Sequence, residues 1–221
     1  MALTWEQIKT LSRQNASDTD TTNPIWSNAN LTLLCENWQS DMSSYLRFPR
    51  ATSSPITMVL DQDDYDLPAD WLSTIRIFIY TGSTYTAKLK YKSEDEISEI
   101  DPNWRNAASG SPRYYFIAND ITAGTALSRK LFIYPPPDSN NVKTMLHVYV
   151  KVPTAITADT NIPIFPGPMH VLCVYYCSWQ MLLSLNPEKA EIYKKLYEKE
   201  RLRMCGEGRK ETEQSHIILF K

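Results

Sequence analysis

Glycine is scarce in this chain, 6 residues of 221 against 14 prolines. Phosphate-cradling loops use glycine to bring the backbone close to the ligand, so such loops are not expected. Neither the P-loop pattern nor the nucleophile elbow occurs. Histidine is scarcer still: His147, His170 and His216 are the only three, and none lies in a local motif joining it to a nucleophile and an orienting carboxylate. Carboxylate pairs are too numerous to carry information. The expectation is therefore a protein that is not an enzyme and holds no cofactor. Cys35, Cys173, Cys177 and Cys205 form no CxxC pair and are too sparse for a disulfide framework, so reduced thiols are expected. An excess of either charge is also missing. With 23 basic and 25 acidic residues the formal charge is -2, which supplies no general basic field for nucleic acid; any DNA contact has to be local or repulsive. No apolar run approaches the roughly 18 residues needed to span a bilayer, and the Met-Ala-Leu-Thr-Trp start has no basic region followed by an apolar one. A cytosolic chain with no membrane partner is expected.

What the chain has is a 43% hydrophobic content rich in aromatics, with 13 tyrosines and 6 tryptophans, enough for one domain or two small ones sharing an interface. Leu3, Ile8 and Leu11 give a short helical signal over 3–14. The apolar residues Leu31, Leu34, Cys35, Trp38, Met42, Tyr45 and Leu46 recur at helical spacing over 30–46, with Asn28 or Asn30 as cap and Pro49 beyond the end. From residue 51 the period becomes alternating: Ile56, Met58 and Leu60, then Ile75, Ile77 and Ile79, then Leu131 with Ile133 and Met145 with Val148. Turns rich in Asp, Pro and Asn at 61–68, 135–141 and 153–168 separate these runs. With no crossover helix legible among them, an antiparallel sheet or sandwich is expected. The acidic insert 94–101 fits a helical turn or a loop. The helical pattern returns at Pro168 with Val171, Val174, Tyr175, Met181 and Leu185, and Asn186-Pro187-Glu188 starts a further helix running to about Cys205, where Gly206 and Gly208 end it. No repeat of fixed period is present.

The expected fold is α+β: a helical part from residues 1–49 and 167–206, packed beside a β-rich part at 50–166 inserted between them, and a C-terminal arm at 207–221. His170, Cys173 and Cys177 share a helical face and could in principle offer soft metal ligands. The cysteines also fall on an apolar stripe, where a free thiol acts as a small hydrophobe, and that reading is preferred. Asp61, Asp63, Asp64, Asp66 and Asp70 are spaced like a calcium loop, but Asp66 stands where such a loop needs glycine and Leu72 where it needs glutamate, so a solvated turn is preferred. Trp71, Tyr80, Tyr85, Tyr91, Trp104, Tyr114 and Tyr115 fit strand packing, with a sugar- or protein-binding face as the second reading.

The order of three motifs resembles the phage adaptor proteins, the tail tubular protein A family of short-tailed phages and related head-to-tail gatekeeper rings. They are Tyr65-Asp66-Leu67-Pro68-Ala69-Asp70 before a strand, the turn Tyr134-Pro135-Pro136-Pro137-Asp138, and Tyr149 followed by Pro153, Ile156, Asp159, Pro163 and Pro166 before a helix bearing Cys and Tyr. The resemblance runs from the helix at Asn30 to about Met204, and its specificity lies in order and spacing. It implies a virion protein at the head-tail junction, assembled in the host cytoplasm. Its subunits would form a ring, usually twelve-fold, between the portal and the tail nozzle or tube, with genomic DNA passing through without sequence-specific binding. The acidic insert and the terminal Ile217, Ile218, Leu219 and Phe220 depart from the family pattern.

Three sets of site residues follow. Tyr65, Leu67, Pro68 and Asp70 are expected at a subunit boundary, since Pro68 fixes the backbone and Tyr65 and Leu67 offer apolar area. Glu94, Asp95, Glu96, Glu99 and Asp101 are expected in a solvated loop, with a DNA-channel lining as the second reading. Residues 206–215 read as a mobile tether, and Ile217, Ile218, Leu219 and Phe220 beyond it are expected to dock on the portal or a neighbour, with a fold-back onto the chain's own β block as the second reading. The competing class is a β-sandwich module of a tail fibre or baseplate that recognises a host glycan or protein. Such a module would not need long helical termini.

Overall fold

The computed structural model describes residues 2–20, 22–120, 128–140 and 143–218. The fold is α+β, with helices from both ends of the chain and a curled sheet between them in sequence. Two compact units result, one of residues 1–49 with 152–221 and one of residues 50–151.

In the helical unit, α1 (Trp5–Ala16) opens on a reciprocal cap in which the Thr4 hydroxyl accepts from the Gln7 N–H and the Gln7 side chain accepts from the Thr4 N–H. Trp5, Ile8, Ser12 and Ala16 form its buried face, while Leu11, expected inside, is 39% exposed. The buried Asp18 carboxylate then ties the following loop, accepting from Arg13 and from the backbone N–H groups of Ile25 and Trp26. Helix α2 (Asn28–Leu46) is capped by Ser27 instead of Asn28 or Asn30 and ends at Arg47 in the left-handed region. Its stripe of Leu31, Cys35, Trp38 and Met42 is fully buried, as the spacing predicts. A short 3-10 turn (Gly167–Met169) leads into α4 (His170–Leu182), and Asn186 caps α5 (Pro187–Ile218) through the Lys189 N–H.

Two expectations about this unit need correction. Helix α5 does not stop at Gly206 and Gly208 but continues to Ile218, so 206–215 is helical and not a tether. Each glycine costs a helix about 1 kcal/mol, but Glu207, Arg209, Lys210, Glu211 and Glu213 around them are good helix formers, and the window sum decides. Residues 152–166, expected with the strands, belong to the helical unit. Prolines at 153, 163 and 166 bar them from a sheet ladder. Instead Ile156 and Phe165 enter the helical core, the Ile164 N–H donates to Gln39, and the Asn161 carbonyl accepts from the Trp5 N–H.

The β unit contains β1 (Arg50–Thr52), β2 (Ile56–Thr57), β3 (Asp64–Asp66), β4 (Trp71–Thr81), β5 (Thr84–Tyr91), β6 (Tyr114–Asp120), β7 (Ser128–Tyr134) and β8 (Thr144–Lys151). Their order is β1-β8-β4-β5-β6-β7-β3, with β2 also on β8. Every pair is antiparallel except β5 with β6, which is parallel. An all-antiparallel sheet was expected because no crossover helix was legible. The crossover is the acidic insert itself, folded as α3 (Glu94–Ile100) and capped reciprocally by Ser93 and Glu96. Ile77, Ile79, Leu89, Leu131, Ile133 and Met145 fill the inner face of the sheet. On the opposite side, Ile97 of α3 packs with Trp104 and Phe116, and Phe116 stacks on Phe132 at 5.1 Å.

Candidate functional site

The buried reactive groups in the helical unit are committed to packing. Cys35, Cys173 and Cys177 are all fully buried, with the Cys173 sulfur 3.3 Å from that of Cys35 and 4.0 Å from that of Cys177. Burial, reinforced by hydrogen bonding of the thiol with its two neighbours, donated to Cys35, holds the Cys173 thiol well above its ordinary pKa, so it stays protonated and is a poor nucleophile or metal ligand. The side chain of Cys205 lies outside the described residues. His170 is also buried. Its Nδ1 accepts from the Leu3 N–H at 2.9 Å, which leaves the proton on Nε2, 2.7 Å from the Phe165 carbonyl that accepts it. Both ring nitrogens therefore pin backbone.

In the β unit His147 is completely buried. Its Nε2 shares a hydrogen bond with the Thr74 hydroxyl at 2.9 Å, while its Nδ1 has no partner. Burial pushes its pKa down from 6.5 to about 4. Between these two values an unfolded histidine takes up a proton that the folded one refuses, so stability falls as pH drops from 6.5 to 4 and levels off below. The expected loss is about 3 kcal/mol. Urea denaturation at pH 7 and pH 4.5 should show it, and His147→Gln should flatten this part of the pH dependence. An unchanged slope in that variant would remove His147 as the cause.

The aspartates of the first turn do not converge. Lys130 pairs with Asp64 at 2.6 Å, Ser109 donates to Asp61, and the Tyr149 hydroxyl donates to Asp70 at 2.8 Å. Desolvation raises the Asp63 pKa. Among the described residues no group of three or more His, Cys, Asp or Glu is placed to hold a metal ion.

Of the residues expected at a subunit boundary, Tyr65 points into its own subunit. It is 6% exposed, and its hydroxyl donates to the Gln62 carbonyl and accepts from the Val59 N–H. Its ring therefore offers no apolar area to a neighbour, contrary to expectation, because β3 pairs with β7 and turns the middle residue of its three inward. Leu67 packs partly against the same core and, like Pro68, is only partly buried, and Pro68 anchors the turn by accepting from the Trp71 N–H. Asp70 is exposed.

The five acidic residues are separated by α3. Glu94 pairs with Arg105 at 2.7 Å, Glu96 with Lys92 at 3.2 Å, and Asp101 accepts from the Tyr134 hydroxyl at 3.0 Å. Asp95 and Glu99 are exposed one helical turn apart, in a helix where a solvated loop was preferred. Ile217 and Ile218 are the last residues of α5, and Leu219 and Phe220 lie outside the described residues.

Trp104 and Tyr115 are core residues. Tyr80 and Tyr85 are not: with Phe78 they make a trio of edge-to-face rings on the outer side of β4 and β5, at centroid distances of 5.8 to 6.4 Å. Phe78 and its neighbours Arg76 and Lys88 were missed in the sequence. The available signal was the other half of the alternation, Arg76, Phe78 and Tyr80, which interleaves with Ile75, Ile77 and Ile79.

The fold thus presents turns and broad side-chain faces, with His147, His170 and three of the thiols engaged in packing. The model of the SU10 adaptor protein family matches residues 4–216, and the chain belongs to that family of phage head-tail adaptors. None of the curated proteins compared with the chain matches it.

Proposed function

We propose that the protein is a subunit of the ring that joins the portal of a tailed phage to its tail. The observation that carries this reading is the family match over residues 4–216. In the proposed assembly, twelve copies close by rotation, each presenting one surface to the next and a different one to the previous copy. The portal lies on one side and the tail nozzle or tube on the other. DNA passes through the centre without sequence-specific binding, in keeping with a net charge of -2. The ring is a virion component at the head-tail junction, assembled in the host cytoplasm. Negative-stain imaging of the purified protein, alone and mixed with portal, tests this: closed rings are expected, whereas a monomer or trimer that binds a glycan would favour the fibre or baseplate module.

The turn of Leu67, Pro68 and Asp70 is proposed to sit at a subunit boundary, with Tyr65 supporting it from inside. Leu67→Asp places a desolvated carboxylate there and should lower ring assembly by about tenfold or more. Virions of this variant that keep an intact ring and normal infectivity would remove the turn from the interface.

A further inference from the structure

The outer side of the sheet is covered unevenly. Over β6 it is closed by α3, whose Ile97 packs on Trp104 and Phe116. Over β4 and β5 the described residues place no such cover, and this is where the aromatic trio lies. Tyr85 is 54% exposed, Phe78 and Tyr80 are half-buried, and all three rings hold one another edge to face. Mutually packed rings form a pre-ordered apolar platform, and burying them costs little further side-chain entropy. The platform has a cationic rim. Lys88 lies opposite Phe78 in the β4–β5 register, Lys90 follows two residues on and so shares its face, and both are exposed.

We infer that the outer face of β4 and β5, with Phe78, Tyr80 and Tyr85 rimmed by Lys88 and Lys90, is the seat for the acidic helix α3 of a second copy of this chain. The inference rests on the ring reading. A ring needs two different, complementary surfaces on each copy, and the β unit carries both. Asp95 and Glu99 are one turn apart on α3, a separation of about 6 Å along the helix. Lys88 and Lys90 are about 7 Å apart along the strand, so two carboxylates can meet two ammonium groups in step. Apolar surface accompanies the charge on both partners: Ile100 at the end of α3 is 49% exposed, and Tyr85 on the platform is 54% exposed. Two copies of α3 facing each other would repel, as would two cationic rims, so the charges select the head-to-tail pairing. A carboxylate lining of a DNA channel would account for Asp95 and Glu99 but not for the exposed Ile100 on the same short helix.

The test uses the full chain, assembled from a mixture of ¹⁴N- and ¹⁵N-labelled subunits and treated with a carbodiimide, which joins lysine to carboxylate only at contact. Mass spectrometry should find Lys88 or Lys90 joined to Asp95 or Glu99 in mixed-label pairs. Lys88→Glu with Lys90→Glu should reduce assembly by about tenfold or more, and adding Asp95→Lys with Glu99→Lys should restore it. Rings that form without the mixed-label link, or that tolerate the lysine reversals, overturn this contact and leave the ring reading standing. A chain that stays monomeric alone and with portal overturns both. If the lysine reversals spare the ring but abolish retention of a single-stranded oligonucleotide, the face is a nucleic-acid platform and the inference is wrong.

Discussion

Trp38→Ala should destabilise the helical unit by about 3–5 kcal/mol, the range for removing a large ring from a core that cannot collapse around the gap. Trp38 is completely buried in the middle of α2 and meets Phe165 edge to face at 5.3 Å, so its loss opens a hole between α2 and the 152–166 segment. Calorimetry of the full chain should show the transition falling by on the order of 10 °C or more. Trp38→Phe separates volume from polarity. The indole N–H of Trp38 is buried without a partner, so phenylalanine removes an unsatisfied donor while keeping much of the ring, and the two effects oppose each other. The phenylalanine variant should lie within about 1.5 kcal/mol of the parent. If the alanine variant melts with the parent, Trp38 is not the keystone of this core.

The same residue shows what was legible beforehand. Trp38 stood in a stripe with Leu31, Cys35 and Met42, and a stripe of that period needs nothing beyond local spacing to be read. The cap at Asn186 was equally local, as was the alternation of Ile77 and Ile79. What escaped depended on context. The antiparallel sheet was expected because a crossover helix has to be seen to be counted. The seven residues of α3 are too few for an apolar period, and only the Ser93 and Glu96 capping pair signalled them. Tyr65 was assigned to a surface because a tyrosine beside a proline turn can face either way, and only its pairing through β3 with β7 turns it inward. The proline-rich segment 152–166 looked like the border of the β block in composition, but composition does not say which core its Ile156 and Phe165 enter. Of the site sets, the acidic residues were visible as a cluster. Their division into capping, internally paired and outward-facing members required the helix.

Deleting residues 214–221 should give a soluble, folded subunit that no longer attaches to heads. The core contacts described for α5 reach Met204, and the helix continues to Ile218, about 20 Å further at the usual rise per residue. The deletion removes residues 214–218 of α5 and leaves in place the part up to Met204, whose core contacts are described. Ile217, Ile218, Leu219 and Phe220 are four consecutive large apolar residues, and left in water at the end of a helix they would promote aggregation. We propose that they dock on the portal or a neighbouring subunit. With a helix in place of a mobile tether, the arm loses less freedom on docking, so more of the burial energy remains as affinity. Each side chain fully buried there contributes roughly 1.5–3 kcal/mol. Even if most of that is spent on ordering and imperfect fit, a net contribution of about 3 kcal/mol corresponds to a hundredfold loss of attachment on deletion. Co-sedimentation of the truncated subunit with portal-bearing heads measures it, with circular dichroism and calorimetry confirming the fold. Attachment within a few-fold of the parent sinks the docking proposal. An unfolded truncated chain sinks it differently, by showing that the last eight residues belong to the subunit's own core.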